Sequence, residues 1–228
     1  MNLKTLSQIL AIFLLPFLFS CQADKKPEPF KKGEFKNWSQ TPPMGWNSWD
    51  CYGPTVEEHE VKANADYMAE NLKAYGWEYI VVDIRWFVKN DKAGGYNQTD
   101  PSYVIDEYGR YQPAVNRFPS AIDGKGFKEL ADYVHGKGLK FGIHIMRGIP
   151  KIAVDNKLPI MGTDGITADQ IYTTDLQCKW LRDNYTIVAQ KQGAQDTTIL
   201  FLSYMRNGVL ILLKLMTSPD LIIRAKLS

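Results

Sequence analysis

The stretch that most constrains this chain is residues 79–87, YIVVDIRWF. Ile80, Val81, Val82, Ile84 and Phe87 surround one carboxylate, Asp83. A short β-branched run of this kind predicts a strand buried on both faces, the type found in parallel sheets. Such a strand has no use for a charge in its middle. Near its C-terminal end a carboxylate is useful, because α/β barrels carry their chemistry there. On strand context alone, a structural Asp83 capping the following loop is an equal alternative.

The flanking segments extend the pattern. Thr55 and Glu58 read as a T-x-x-E capping box. Val61, Ala65, Met68 and Leu72 follow at helical spacing, and Gly76 is placed to end the helix. Phe127, Leu130, Ala131 and Val134 mark a second helix, stopped near Gly136 and Gly138. Residues 140–145, KFGIHI, form the next buried strand, with His144 placed toward its C-terminal end as Asp83 is in the strand before. A lone His is more often structural than catalytic; this matched position strengthens the case for a site. Upstream, residues 41–53, TPPMGWNSWDCYG, predict irregular backbone around a short strand, with Trp46 and Trp49 serving either core or site. The order strand, helix, strand, long loop, helix, strand opens either a (β/α) barrel or a doubly wound sheet. The polar connection 89–119 leaves the Asp83 strand and is long enough to be functional. No Gly-rich phosphate fingerprint follows either strand, and no His/Cys cluster has metal spacing, so neither cofactor nor metal is expected.

Charge and termini narrow the setting. A net charge of +2 points to no nucleic-acid partner. Six Trp and twelve Tyr suit sugar stacking, and equally a large core. Residues 1–21 read as a lipoprotein signal peptide: Lys4, an apolar run over 9–19, then Leu18-Phe19-Ser20-Cys21, which resembles a bacterial lipobox. The expectation is export to the bacterial cell envelope with Cys21 lipidated, a membrane partner through the lipid anchor alone; a plain secretory signal is the alternative. Residues 22–37 are a polar, Lys/Pro-rich tether. Cys51 and Cys178 are expected to be free thiols.

Taken together, TPPMGWNSW, YIVVDIRWF, RFPS at 117–120 and HGKGLKFGIHIMRGIP at 135–150 resemble glycoside hydrolase family 27, the α-galactosidase family. The resemblance runs over roughly residues 38–195. It implies an α/β fold, a (β/α)8 TIM barrel, of which about the first three strands lie in this span. It also implies retaining hydrolysis of terminal α-galactosides by two aspartates, with an α-galactoside oligo- or polysaccharide as partner. By resemblance, the substrate-binding residues are Trp49 packing on the sugar, Asp83 accepting from its hydroxyls, and His144 standing where many relatives have a Tyr. Ile84 departs from the second Asp that also grips the sugar in many members. Arg85 replaces a Cys that forms a disulfide in several. These departures leave β-L-arabinopyranosidase and α-N-acetylgalactosaminidase specificities open.

The resemblance places the nucleophile in a K-x-D motif on the fourth barrel strand and the acid/base farther on. After Gln195 only Asp196 and Asp220 remain, neither in such a motif, so no catalytic residue is assigned. The expectation is a truncated, inactive chain whose residues 196–228 are an out-of-frame tail. Leu and Ile supply 12 of those 33 residues, in neither helical nor strand periodicity. A non-catalytic sugar-binding lipoprotein is the alternative.

Overall fold

The computed structural model describes residues 42–197 and 210–213. Its main sheet is parallel, with strand order β1 (Gly45–Asn47), β2 (Tyr79–Val82), β3 (Lys140–Ile145) and β7 (Leu210–Leu213). The register runs Asn47↔Val81, Val81↔Gly142, Val82↔Ile143 and His144↔Leu212. The sheet thus has one strand more than the three expected, and that strand falls in the segment predicted to lack strand character. The reason is local: LILL offers four apolar residues in a row, and β3 would otherwise present an unpaired edge. The signal peptide and tether expected over residues 1–37, Cys21 among them, lie outside the described residues.

β1 and β2 approach closely because residue 45 is glycine. A Cβ there would lie 2.4 Å from the Tyr79 carbonyl oxygen and 2.5 Å from its Cβ. After β1 the chain makes a helical turn, α1 (Trp49–Tyr52), then the long helix α2 (Glu58–Asn71). The predicted stripe of Val61, Ala65 and Met68 is buried, with Leu72 packed beside it. The capping box, however, is Glu57 with Glu60, not Thr55 with Glu58. Thr55 is spent one turn earlier, donating to the Tyr52 carbonyl. Glu58 turns inward, where it accepts from the Ser120 amide and pairs with Lys62 at 2.5 Å. Gly76, at φ 89°, closes the 3-10 turn that follows α2.

β2 is shorter than the apolar run suggests. It stops at Val82, and Ile84–Phe87 turn away. The second predicted helix is α3 (Lys128–Gly136), burying Leu130, Ala131 and Val134. Strand alternation then divides two faces. Ile80 and Val82 of β2, with Phe141, Ile143 and Ile145 of β3, join the core beneath α2 and α3. Val81 and Gly142 take the opposite face, and the next residues in the same alternation are Asp83 and His144. Because Val82 is level with Ile143, Asp83 and His144 are level with each other.

Beyond β3 lies a small antiparallel sheet, β4 (Ile149–Pro150), β6 (Asn184–Ile187) and β5 (Tyr172–Thr173), with a helix α4 (Lys151–Asp155) between β4 and β5. It has its own core of Ile149, Ala153, Val154, Ile160, Ala168 and Ile171. Gly148 is required at its entrance: φ is 97°, and a Cβ would lie 2.1 Å from the Tyr185 carbonyl oxygen.

Candidate functional site

Asp83 sits at the C-terminal end of β2, 1% exposed. Its amide donates to Ser48 Oγ at 2.9 Å, and its Oδ1 accepts from the Ile84 amide at 2.6 Å. His144 Nδ1 lies 2.8 Å from Asp83 Oδ2, whereas the Asn47 amide nitrogen is 3.5 Å from the same ring nitrogen. The shorter contact favours the tautomer whose Nδ1–H faces Asp83. Burial pushes the Asp83 carboxyl up, but His144, the Ile84 amide and Asn47 together bring it below its ordinary range. The result is a fixed, ionised acceptor at the barrel-type end of the sheet. His144 is itself fixed by its backbone, whose carbonyl accepts from the Trp86 indole at 2.9 Å.

Trp49 reaches the same corner through Asn47, whose side-chain oxygen accepts from the Trp49 amide at 2.8 Å. Its ring is partly exposed and meets Tyr96 at 5.5 Å between centroids; Tyr96 in turn meets Trp180 at 6.0 Å. Burial, followed by the charge of Asp83, pushes the Tyr96 phenol up to about 12. The three residues expected from sequence therefore gather near the ends of β1, β2 and β3: Asp83 and His144 touch, and Asn47 bridges them to Trp49.

No sequence pattern announces the charge cluster beneath Tyr96. Arg85 is fully buried, with Nε 2.6 Å from Asp91 Oδ2 and Nη1 3.3 Å from Asp183 Oδ1. Its Nη2 donates to the Asn97 carbonyl at 2.9 Å. Tyr103 donates to the same Asp183 oxygen at 2.6 Å. Burial, opposed by Arg85, leaves the Asp183 carboxyl above its ordinary range. Arg117, from the RFPS stretch, donates to the Arg85, Val88 and Val56 carbonyls, and burial brings its guanidinium down to about 10. No spacing rule links positions 85, 91 and 183, so only the folded chain reveals them. Cys51 and Cys178 are free thiols, as expected.

Residues 41–154, half of the chain, match the alpha galactosidase A family, Melibiase_2. The chain belongs to glycoside hydrolase family 27. Among family 27 relatives, the alpha-galactosidase A of Cellvibrio japonicus is 41% identical over 112 residues, 49% of this chain and 23% of that protein. The alpha-galactosidase of Cyamopsis tetragonoloba is 41% identical over 106 residues, 46% of this chain and 21% of that protein. The chain thus spans under a quarter of the length of these curated relatives. Two solved structures match over a longer stretch. A β-L-arabinopyranosidase of Geobacillus stearothermophilus, crystallised with arabinose, is 53% identical with a TM-score of 0.74, covering 77% of this chain and 41% of that one. A putative α-N-acetylgalactosaminidase of Bacillus halodurans C-125 is 50% identical with a TM-score of 0.72, covering 78% of this chain and 42% of that one. The parallel sheet is accordingly the family 27 TIM-barrel fold over the matched part.

Proposed function

We propose that residues 42–197 carry the sugar-gripping half of a family 27 glycosidase site, suited to a terminal L-arabinopyranose more than to galactose. The observation that carries the preference is Ile84, 4% exposed and directly after Asp83. By family resemblance many members grip the sugar with a second carboxylate there. Isoleucine offers no acceptor. β-L-Arabinopyranose has the ring configuration of α-galactose but lacks its hydroxymethyl group, so it has one hydroxyl fewer to satisfy. A galactose hydroxyl left unpaired against an apolar wall costs about 1–3 kcal/mol. The 53% identity to an arabinopyranosidase supports the same choice.

Calorimetry of the full chain should therefore show L-arabinose binding more tightly than D-galactose. Ile84→Asp should move the ratio toward galactose by roughly tenfold or more. Equal or better galactose binding by the parent chain overturns the preference. Binding of neither sugar overturns the site itself.

Cleavage is a separate matter. Retention needs a nucleophile and an acid/base carboxylate about 5–5.5 Å apart. Asp83 is one carboxylate, committed to His144 and the Ile84 amide, and cannot both attack and protonate from a single position. In this reading the described residues bind, and hydrolysis waits on the family's K-x-D strand. Binding with no turnover of a nitrophenyl β-L-arabinopyranoside or α-galactoside is the expected pair of results.

We also propose that Cys21 is lipidated and anchors the protein in the bacterial envelope, on the strength of the lipobox-like Leu18-Phe19-Ser20-Cys21. Stable attachment takes more than one acyl chain, which bacterial lipoproteins have. Cys21→Ser should move the protein from the membrane to the soluble fraction, and unchanged fractionation would sink the idea.

A further inference from the structure

We infer that Arg85 is a positioning residue: its guanidinium locks Tyr96 against Trp49 and so sets the aromatic wall beside Asp83 on which a sugar ring rests. The inference depends on the sugar-binding reading above and adds a residue to it.

The backbone gives the first sign. Arg85 has φ 68°, in the left-handed region where glycine is the low-strain choice. A long charged side chain in that conformation, fully buried, is held by what surrounds it. Its carbonyl accepts from Arg117 at 3.2 Å, which secures the turn. Its side chain then has a reason to be there.

The guanidinium gathers three segments. It starts at the end of β2, two residues from Asp83. It wraps the loop that follows: Nε meets Asp91 Oδ2, Nη2 donates to the Asn97 carbonyl, and Asp91 Oδ1 accepts from the Asn97 amide at 2.9 Å. Tyr96 lies between those two anchors, with its ring centroid 5.3 Å from the Arg85 guanidinium carbon. Through Asp183 the same group reaches the segment that carries Trp180, the other neighbour of Tyr96. Tyr103 fastens Asp183 from a fourth point. A planar fork with several donors can make these contacts at once, and a lysine ammonium cannot. Trp49, Tyr96 and Trp180 are thus kept in sequence around one buried cation: the Asp91 and Asn97 contacts hold the loop on both sides of Tyr96, and the guanidinium packs against its ring.

The test uses three variants of the full chain: Arg85→Lys, Tyr96→Leu and both together. Lysine keeps a charge for Asp91 and Asp183, which favours folding, but loses the fork. L-Arabinose affinity, measured by calorimetry, should fall roughly tenfold in Arg85→Lys, by a similar factor in Tyr96→Leu, and no further in the double variant. Unchanged affinity in Arg85→Lys, or losses that multiply, overturns the inference. A second arm needs no sugar. Trypsin cleavage after Lys92, exposed beside Asp91, should be slow in the parent and in Tyr96→Leu, and fast in Arg85→Lys at a temperature where all remain folded by circular dichroism. If the parent binds neither L-arabinose nor D-galactose, the functional reading fails and this arm decides Arg85 alone: equal cleavage rates refute the clamp.

Discussion

Shifting the reading frame across codons 196–216 is expected to yield an active family 27 enzyme, provided the downstream gene is intact. We propose that residues 196–228 are translated out of frame. The genetic code gives the argument its force. Reading each codon's third base with the first two of the next, Asp196-Thr197 can yield only Tyr or His, and Asn207-Gly208 only Trp or Arg. Met216-Thr217 must yield Asp, because the G of ATG is followed by AC. Leu213-Lys214 can give Lys, Lys214-Leu215 Val, and Leu215-Met216 Asp. The shifted frame therefore permits YYNSLF and then WGVDFIKVDD, which contains the K-x-D of the nucleophile strand. A transmembrane reading of the same run fails on Arg206, Asn207 and Lys214. The shifted frame writes its strand over positions 210–213, where β7 pairs with β3. Sequencing the gene across codons 190–220 checks this directly. An alternative frame without a Lys-x-Asp strand ends the proposal. If the strand is encoded, the repaired gene product should hydrolyse a nitrophenyl glycoside, and the present chain, by the same proposal, should not.

How much could be read beforehand followed from periodicity. α2, α3 and β3 were legible because their apolar residues recur at the spacing of the element they form, and β2 because its run is short, β-branched and bounded by turns. Level placement of Asp83 and His144 followed once two parallel strands were expected. Local choices were harder. Residue preference favours Thr55 over Glu57 as the N-cap, and the outcome was set by where Thr55 found a carbonyl and where Glu58 found Lys62 and Ser120. Two-residue strands such as β4 and β5 carry no periodicity at all. The Arg85 cluster joins side chains 98 positions apart, and an arginine inside an apolar run announces only that something must neutralise it. Tyr96 and Trp180 were hidden for a related reason: aromatic residues on loops fit core, surface and site equally well.

Asp83→Asn should cost sugar binding more than any other single substitution within the described residues. The change is nearly isosteric, so the loss reports the charge. Each hydroxyl donating to an ionised acceptor contributes about 1.5–3 kcal/mol, and a carboxylate in this position can serve two, so affinity should drop roughly 10²- to 10⁴-fold. Stability should fall as well, since the amide keeps one acceptor oxygen where the carboxylate offered one to the Ile84 amide and one to His144 Nδ1. The pH dependence separates this from general damage. The folded-state carboxyl lies below its ordinary range because His144, the Ile84 amide and Asn47 together outweigh burial. A group depressed in this way stabilises the fold fully above its unfolded-state value, and that contribution is lost as pH falls through the folded value. Melting temperature followed from neutral pH down through the carboxylate range should show this acid-side step in the parent and a smaller one in Asp83→Asn. L-Arabinose binding by the parent should persist to the same low pH and then vanish. If the parent and Asp83→Asn bind equally, Asp83 is the loop cap that its strand context equally allows, and the grip on the sugar lies elsewhere.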